Sequence, residues 1–182
     1  MAKVTGPLMS MEASGKFADS LVFGKRKGKN VVRSFSIPSN PQTQGQMDIR
    51  NFMKLGGAMQ VVCGALTVKR SGETKTDKAL LTAKAPSDQT WNSFVVQKLI
   101  GNGGDNIIAG KAAYSALSAP QKTAWADAAA ALPYPFTAVG QVDAGGVVGT
   151  PVVAGEVYFL YVYALFKAGV ADSPTGTPPT YA

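Results

Sequence analysis

The sequence has no histidine, and its one cysteine is Cys63. No disulfide can form within such a chain, and the Cys and His ligands that most structural zinc sites use are missing. The chain also lacks the side chain that most often acts as a general acid or base. Cys63 lies in the apolar run MQVVCGAL, which favours a buried, inert thiol over a nucleophile. We therefore expect no enzyme, and no metal, cofactor or small-molecule ligand.

Charged residues are also scarce, at 16% of the chain against 46% hydrophobic residues, and the net charge is +7. This charge is uneven, because residues 1–84 carry 14 Lys and Arg against 5 Asp and Glu, whereas residues 85–182 carry 4 against 6. A basic front half and a weakly acidic back half favour packing between copies, or contact with an anionic surface. The apolar runs are too short to cross a bilayer, so we expect no membrane partner.

A β-hairpin is predicted near the start of the chain. FADSLVF (17–23) and NVVRSFSI (30–37) both alternate with the period of two that strands show, and GKRKGK between them supplies turn glycines. The hairpin would carry a basic tip that is solvated, inserted into an acidic protein partner, or bound to nucleic acid, the last being the least favoured. The candidate contacts for a partner or an anion are Lys25, Arg26, Lys27, Lys29 and Arg33.

Most of the remaining chain has the spacing of amphipathic helices. Gly56 and Gly57 weaken the first helix and indicate a kink or a close approach by another backbone. The last predicted helix is apolar almost all round, and its Val, Tyr and Phe content leaves a strand as the alternative. Residues 69–79 are expected to form a polar loop, and 133–155 a structured loop with a small hairpin. The helices are predicted at 44–68, 87–101, within 102–118, at 118–132 and at 156–169.

The predicted fold is mainly α with an N-terminal β-hairpin. Residues 1–41 would form an extended arm and the basic hairpin, 42–169 a small helical body, and 170–182 an extended Pro-rich tail. Termini of this composition fray unless something holds them, so we expect neighbouring chains to clamp the arm and the tail. The residues expected to anchor the core or an interface are Phe17, Phe23, Phe35, Trp91 and Trp125.

Three blocks of the sequence resemble, in order, a family of small virion proteins of tailed bacteriophages. The first block is GKFADSLVFGKRKGKNVVRSFSIPSNPQTQGQMDIRNFM, the second is LSAPQKTAWADAA, and the third is GEVYFLYVYALFKAG followed by TPP. Residues 69–86 depart from the family pattern. The positions of the first block that match are Val22 or Phe23, Gly28, Arg33, Asn40, Pro41, Thr43, Gln46, Arg50 and Phe52.

The resemblance implies a structural protein of the virion, made in the host cytoplasm and assembled with copies of itself and with other virion proteins. A position in the capsid or at the head–tail junction (neck) is favoured over a tail fibre or baseplate, because fibres are long, repetitive and β-rich. The alternative from another class is a DNA-binding or genome-packaging protein that uses the basic hairpin.

Overall fold

The chain divides into two compact units, residues 1–41 and residues 42–182. The computed structural model describes residues 15–17, 21–26, 29–34, 42–143 and 147–182.

The first unit is a small antiparallel sheet with the strand order β1–β2–β3. In β2 and β3, Leu21 pairs with Ser34 and Arg26 pairs with Lys29. β1 lies along the other edge of β2, where Gly15 pairs with Phe23. The strands are β1 (Gly15–Phe17), β2 (Leu21–Arg26) and β3 (Lys29–Ser34).

Two details of the predicted hairpin are wrong. The run 17–23 is not one strand, because Phe17 pairs with Leu21 across two antiparallel strands, and the intervening Asp19 and Ser20 are residue types that favour turns. The second error concerns the basic tip: the ladder of β2 and β3 continues to the pair of Arg26 and Lys29. Most of the basic stretch therefore belongs to paired strands and not to the connecting turn.

The second unit is a helical body built around its last helix. Helix α6 packs against α1, α3, α4 and α5, and nine of its fourteen residues are buried. This explains why its sequence is apolar on nearly every side. The helices are α1 (Gln44–Ala65), α2 (Asp77–Lys84), α3 (Trp91–Ile100), α4 (Asp105–Ser115), α5 (Ala119–Ala131) and α6 (Ala154–Lys167).

The ends of α5 and α6 follow from local sequence signals. Ser118 is the N-cap of α5, and its backbone N–H donates to Gln121 Oε1 at 2.8 Å, as in a capping box. Helix α6 stops where Gly169 adopts φ +69°, and Val170 N–H then donates to the Leu165 carbonyl at 2.9 Å. This Gly-based termination was expected from the sequence and rules out the alternative of a final strand.

Close helix packing explains one of the two glycines in the middle of α1. A Cβ on Gly56 would lie 3.0 Å from Val96 Cγ2 of α3, whereas a Cβ on Gly57 would meet nothing within 4 Å. The expected close approach therefore occurs at Gly56, and the partner is a side chain of α3 rather than a backbone. Nothing in the described structure explains Gly57.

Helix α2 was not predicted. Its eight residues bury only Asp77 and Leu81, so the sequence shows no apolar stripe there and reads as part of a polar loop. Two other boundaries also differ from the prediction. Helix α1 ends at Ala65 rather than near 68, and α3 is capped by the Thr90 side chain rather than near Ser87.

The loop after α5 contains the expected small hairpin. Val139 pairs with Val152, and Val142 with Val148, in antiparallel bridges. The buried Asn51 of α1 fastens this loop, because its side-chain amide donates to the Val142 carbonyl at 2.8 Å and accepts from Val142 N–H at 3.1 Å. The fold class is thus confirmed: a mainly helical chain with an N-terminal antiparallel hairpin.

Candidate functional site

The backbone register of the hairpin brings part of the basic stretch together. Arg26 lies directly opposite Lys29, and Lys25 lies opposite Asn30. Arg33 pairs with Val22, so it lies several residues along the ladder from the other cations. Like charges directly opposite each other destabilise an antiparallel pair. The pair of Arg26 and Lys29 is therefore a place where an anionic group would be favourable.

The hairpin also exposes apolar side chains on both faces. Val31 is 41% exposed and Val32 is 51% exposed. Successive residues of a strand point to opposite faces, so neither face of β3 is covered at these positions. Leu21 on the paired strand is exposed as well.

Several predicted site residues lie outside what the structure describes. Lys27 and Phe35 fall outside the described residues altogether. For a further set of predicted site residues, the structure describes the backbone in β1, β2 or β3 but not the side chain. These are the side chains of Phe17, Phe23, Lys25, Arg26 and Lys29.

The two tryptophans have different positions in the body. Trp91 is partly buried at the start of α3, with Lys78 Nζ 5.6 Å from its ring centre. Trp125 is fully buried and packs edge-on against Tyr158 and Phe159, with ring centres 5.1 and 5.0 Å away. Trp125 is thus a core residue, whereas Trp91 sits at the margin of the core.

A buried carboxylate, which the sequence did not predict, organises the other side of the body. Asp77 is 2% exposed. Its Oδ1 accepts from Arg70 Nε at 3.0 Å, and its Oδ2 accepts from the hydroxyls of Tyr161, at 2.9 Å, and Tyr181. We call Asp77, Arg70, Tyr161 and Tyr181 the carboxylate cluster. A buried charge is tolerated only when it is paired and hydrogen-bonded, and Asp77 satisfies both conditions.

The pKa shifts around this cluster keep its donors protonated. Burial raises the pKa of Tyr161 and Tyr181 above the usual value, and the nearby Asp77 carboxylate raises both further. Burial alone would lower the pKa of Arg70, but the charge of Asp77, its hydrogen bond and the nearby Tyr181 and Glu73 together raise it. Near neutral pH the carboxylate therefore faces one guanidinium and two neutral phenols, all of which donate. This arrangement fastens chain segments together.

The cluster holds the C-terminal segment, residues 172–182, against the body. Lys69 and Ala182 exchange two backbone hydrogen bonds, of 3.1 and 2.9 Å, and Ser71 N–H donates to the Thr180 carbonyl at 2.8 Å. These bonds align the segment so that Tyr181 pairs with Arg70. The sequence predicted that neighbouring chains clamp the tail, but in the described structure the same chain clamps it. The reason is that its hydrogen-bonding groups find partners on the same chain.

Sequence reasoning missed this site for an identifiable reason. Tyr181 and Asp77 are 104 residues apart, so no local pattern connects them. One signal was present in the sequence: Tyr181 is the only aromatic residue in the run of Pro, Thr, Gly and Ser that follows Asp172. A single aromatic residue in such a segment is a candidate anchor.

Cys63 lies in the same region of the core. It is 1% exposed, and burial raises its pKa to about 11, against a smaller lowering by a hydrogen bond with Tyr161. A thiol in this environment stays protonated near neutral pH and reacts slowly. Within the described ranges, no group of three or more Cys, His, Asp or Glu residues could hold a metal ion.

No protein-family model, curated protein or solved structure matches this chain. Among the helices that the structure describes, none combines the length and the hydropathy needed to cross a bilayer.

Proposed function

We propose that this chain is a structural protein of a bacteriophage particle that assembles through its N-terminal arm, its basic hairpin and its helical body. The observation that carries the proposal is the hairpin with exposed valines on both faces, Val31 and Val32. Three strands are about the minimum for a sheet that is stable alone, and then only with one apolar face packed. Valines exposed on both faces therefore favour a partner that covers them with an apolar surface. The three sequence blocks that resemble virion proteins of tailed phages support the same conclusion.

The chemistry of the hairpin defines the partner surface. It must offer apolar side chains to the valines and negative charge near the pair of Arg26 and Lys29. In the part of this unit that the structure describes, β3 pairs with β2 on one side only. A strand of the partner can therefore add to the other edge of β3, which is a common mode of assembly.

Within the particle, the capsid or the neck suits this chain better than a fibre or baseplate. The body is a bundle of helices around α6, and residues 42–143 and 147–182 show none of the repeated β units that fibres use. The partners are other virion proteins and further copies of this chain, and the protein is a component of the virion after assembly in the host cytoplasm. We propose no catalytic role, since the buried Asp77 is already engaged by three donors.

The second candidate is binding of DNA during packaging, and the basic stretch around Arg26 and Lys29 favours it. Contacts to phosphates would make such binding fall steeply as the salt concentration rises. The exposed valines have no role in this alternative, because phosphate contacts use charged and polar groups. We therefore favour the protein partner.

The test is incorporation of variants into purified particles, measured by quantitative mass spectrometry. The test variant changes four hairpin cations to serine, and the control variant changes four exposed lysines of the body, so that both lose the same net charge. Each variant is also assayed for DNA retention at low and high salt. The test substitutions are at Lys25, Arg26, Lys27 and Lys29, and the control substitutions are at Lys54, Lys75, Lys84 and Lys167.

We expect the wild type and the control variant to be present in particles at the same fixed ratio, and the test variant to be lost. Equal incorporation of both variants would show that the hairpin cations do not drive assembly. Absence of the wild type from particles, together with salt-sensitive DNA binding that only the test variant loses, would replace the proposal with the DNA-binding function.

A further inference from the structure

The C-terminal segment lies in a groove that has the chemistry of a peptide-binding site. Trp125 Nε1 donates to the Thr175 carbonyl at 3.0 Å, and the Tyr158 hydroxyl donates to the Pro179 carbonyl at 3.0 Å. Aromatic donors that bind the carbonyls of an extended Pro-rich strand are the means by which several peptide-recognition domains hold their ligands. The occupant of this groove is the sequence TGTPPTYA, residues 175–182.

The groove binds this segment through the backbone of the segment and through one of its side chains, that of Tyr181. Backbone hydrogen bonds join Lys69 to Ala182 and Ser71 to Thr180, and the Tyr181 hydroxyl reaches the buried Asp77. A cleft of about 380 Å³ beside the segment is lined by Leu132 and other largely apolar residues. Every copy of the chain carries the same residues 175–182. The segment of another copy could therefore make each of these contacts with this groove.

The stretch between Val170 and Thr175, which connects the body to the part of the segment in the groove, makes few contacts with the body. Val170 is still fixed, because its carbonyl accepts from Arg70 at 2.9 Å. Between Val170 and Thr175, the described structure shows no hydrogen bond between the segment and the body. Asp172 and Ser173 are exposed, and none of residues 172–182 is buried. When the segment leaves the groove it exposes only half-buried side chains of its own, of which Tyr181 packs against the core.

We propose that in the assembled particle this groove holds residues 175–182 of a neighbouring copy, so that the partner's Tyr181 completes the carboxylate cluster. Exchange of an identical element replaces each contact within a chain by the same contact between chains. Asp172 and Ser173 are the hinge. This inference rests on the proposed function, because only an assembly places many copies side by side.

Concentration decides which copy supplies the segment. A segment tethered to its own groove has an effective concentration in the millimolar range, so in dilute solution each chain fills its own groove. In a shell or ring of copies, the groove of a neighbour can be equally near. The exchange then links the copies in a closed or continuous chain without requiring any new contact surface.

The test uses full-length chains that form a disulfide only when the segment crosses between copies. One chain carries Ser71→Cys and the other carries Thr180→Cys, at exposed positions that lie opposite each other in the ladder. Directly opposed residues have a Cα separation that a disulfide can span. A chain with both substitutions provides the folding control, because in dilute solution it must form the bond within itself. A pair with Thr150→Cys in place of Thr180→Cys controls for random collision of surface thiols.

Particles are assembled from equal amounts of the two singly substituted chains, oxidised, and analysed by mass spectrometry for the peptide that joins the two introduced thiols. We expect this peptide in particles from the test pair, and not from the control pair. If the test pair gives no joined peptide, while the oxidised doubly substituted chain from particles runs only as a monomer on a non-reducing denaturing gel, the exchange is wrong and the virion function stands. If the chain is absent from particles, the virion function fails. The exchange is then tested by oxidising the same pair of chains at millimolar concentration. Absence of the joined peptide under these conditions would refute the exchange.

Discussion

Removal of one hydroxyl, by Tyr181→Phe, measures how strongly the carboxylate cluster holds the C-terminal segment. The substitution keeps the ring and deletes the hydrogen bond to Asp77 Oδ2. Hydrogen bonds to charged groups contribute about 1.5–3 kcal/mol, and Tyr181 is only partly buried. We therefore expect a loss of about 2 kcal/mol in the free energy of unfolding. For a chain of this size, that corresponds to a fall in Tm of about 4–8 °C.

The assay is urea unfolding followed by the fluorescence of the buried Trp125, whose indole donates to the Thr175 carbonyl of the same segment. The control is Tyr161→Phe, which removes the other phenol donor to Asp77 but leaves the segment attached. Both variants should lose stability. Only Tyr181→Phe should also speed proteolytic cleavage near Ser173 and shift the native-state emission, because only it weakens the attachment of the segment, which Trp125 also contacts.

A double-mutant cycle identifies the partner of the hydroxyl. Asp77→Asn removes the closer of the two counter-charges of the buried Arg70 and leaves only Glu73, whose Oε1 lies 3.8 Å from the guanidinium, and we expect it to cost about 3 kcal/mol. In that background Tyr181→Phe should cost clearly less than in the wild type, because the two residues share one interaction. A loss below about 0.5 kcal/mol for Tyr181→Phe in the wild-type chain, within the range of a neutral surface substitution, would refute the reasoning.

Three further predictions concern the body. Burial raises the folded-state pKa of Cys63 from 9.0 to about 11. The protonated thiol therefore contributes about 3 kcal/mol to the free energy of unfolding below pH 9, and this contribution is lost as the pH rises towards 11. Urea unfolding at pH 8 to 11 should show the loss of stability, and Cys63→Ala should make the free energy of unfolding depend less steeply on pH. Gly155→Ala should cost about 1–3 kcal/mol by overpacking, because its Cβ would lie 2.9 Å from the backbone nitrogen of Ala126; an unchanged Tm would contradict this packing. Gly57→Ala should instead stabilise the isolated chain by about 1 kcal/mol, since a Cβ there meets nothing within 4 Å, and thermal unfolding that shows no gain would count against the described position of Gly57.

The helices that could be predicted from the sequence are those whose signals are local. Helix α5 begins at Ser118 with Gln121 three residues later, and α6 ends at a glycine with positive φ. Each signal involves neighbouring residues and acts through backbone hydrogen bonds at the helix end. Helix α2 gave no such pattern, because it contributes one apolar and one charged side chain to the interior, Leu81 and Asp77.

The hairpin and the C-terminal segment show two different limits of this reasoning. The hairpin was predicted in kind, but alternation alone did not reveal that Phe17 and Leu21 belong to different strands. The C-terminal segment was predicted to be extended, but the sequence did not predict the hydrogen bonds that attach it to the body. Trp125 and Thr175 are 50 residues apart and Arg70 and Val170 are 100 apart, and only the packed body brings such residues together.

The long separation within the carboxylate cluster also sets the order of events during synthesis. A chain is made from its N-terminus at about 5–20 residues per second, so the 104 residues between Asp77 and Tyr181 take roughly 5–20 s to add. During that interval the hairpin has already been synthesised, while Asp77 lacks two of its three donors until Tyr161 is added and one until Tyr181 is added. Closure of the cluster by Tyr181 is therefore a late event, and it follows the synthesis of helices α1 to α6. A nascent chain that already displays its hairpin cannot yet present a finished body.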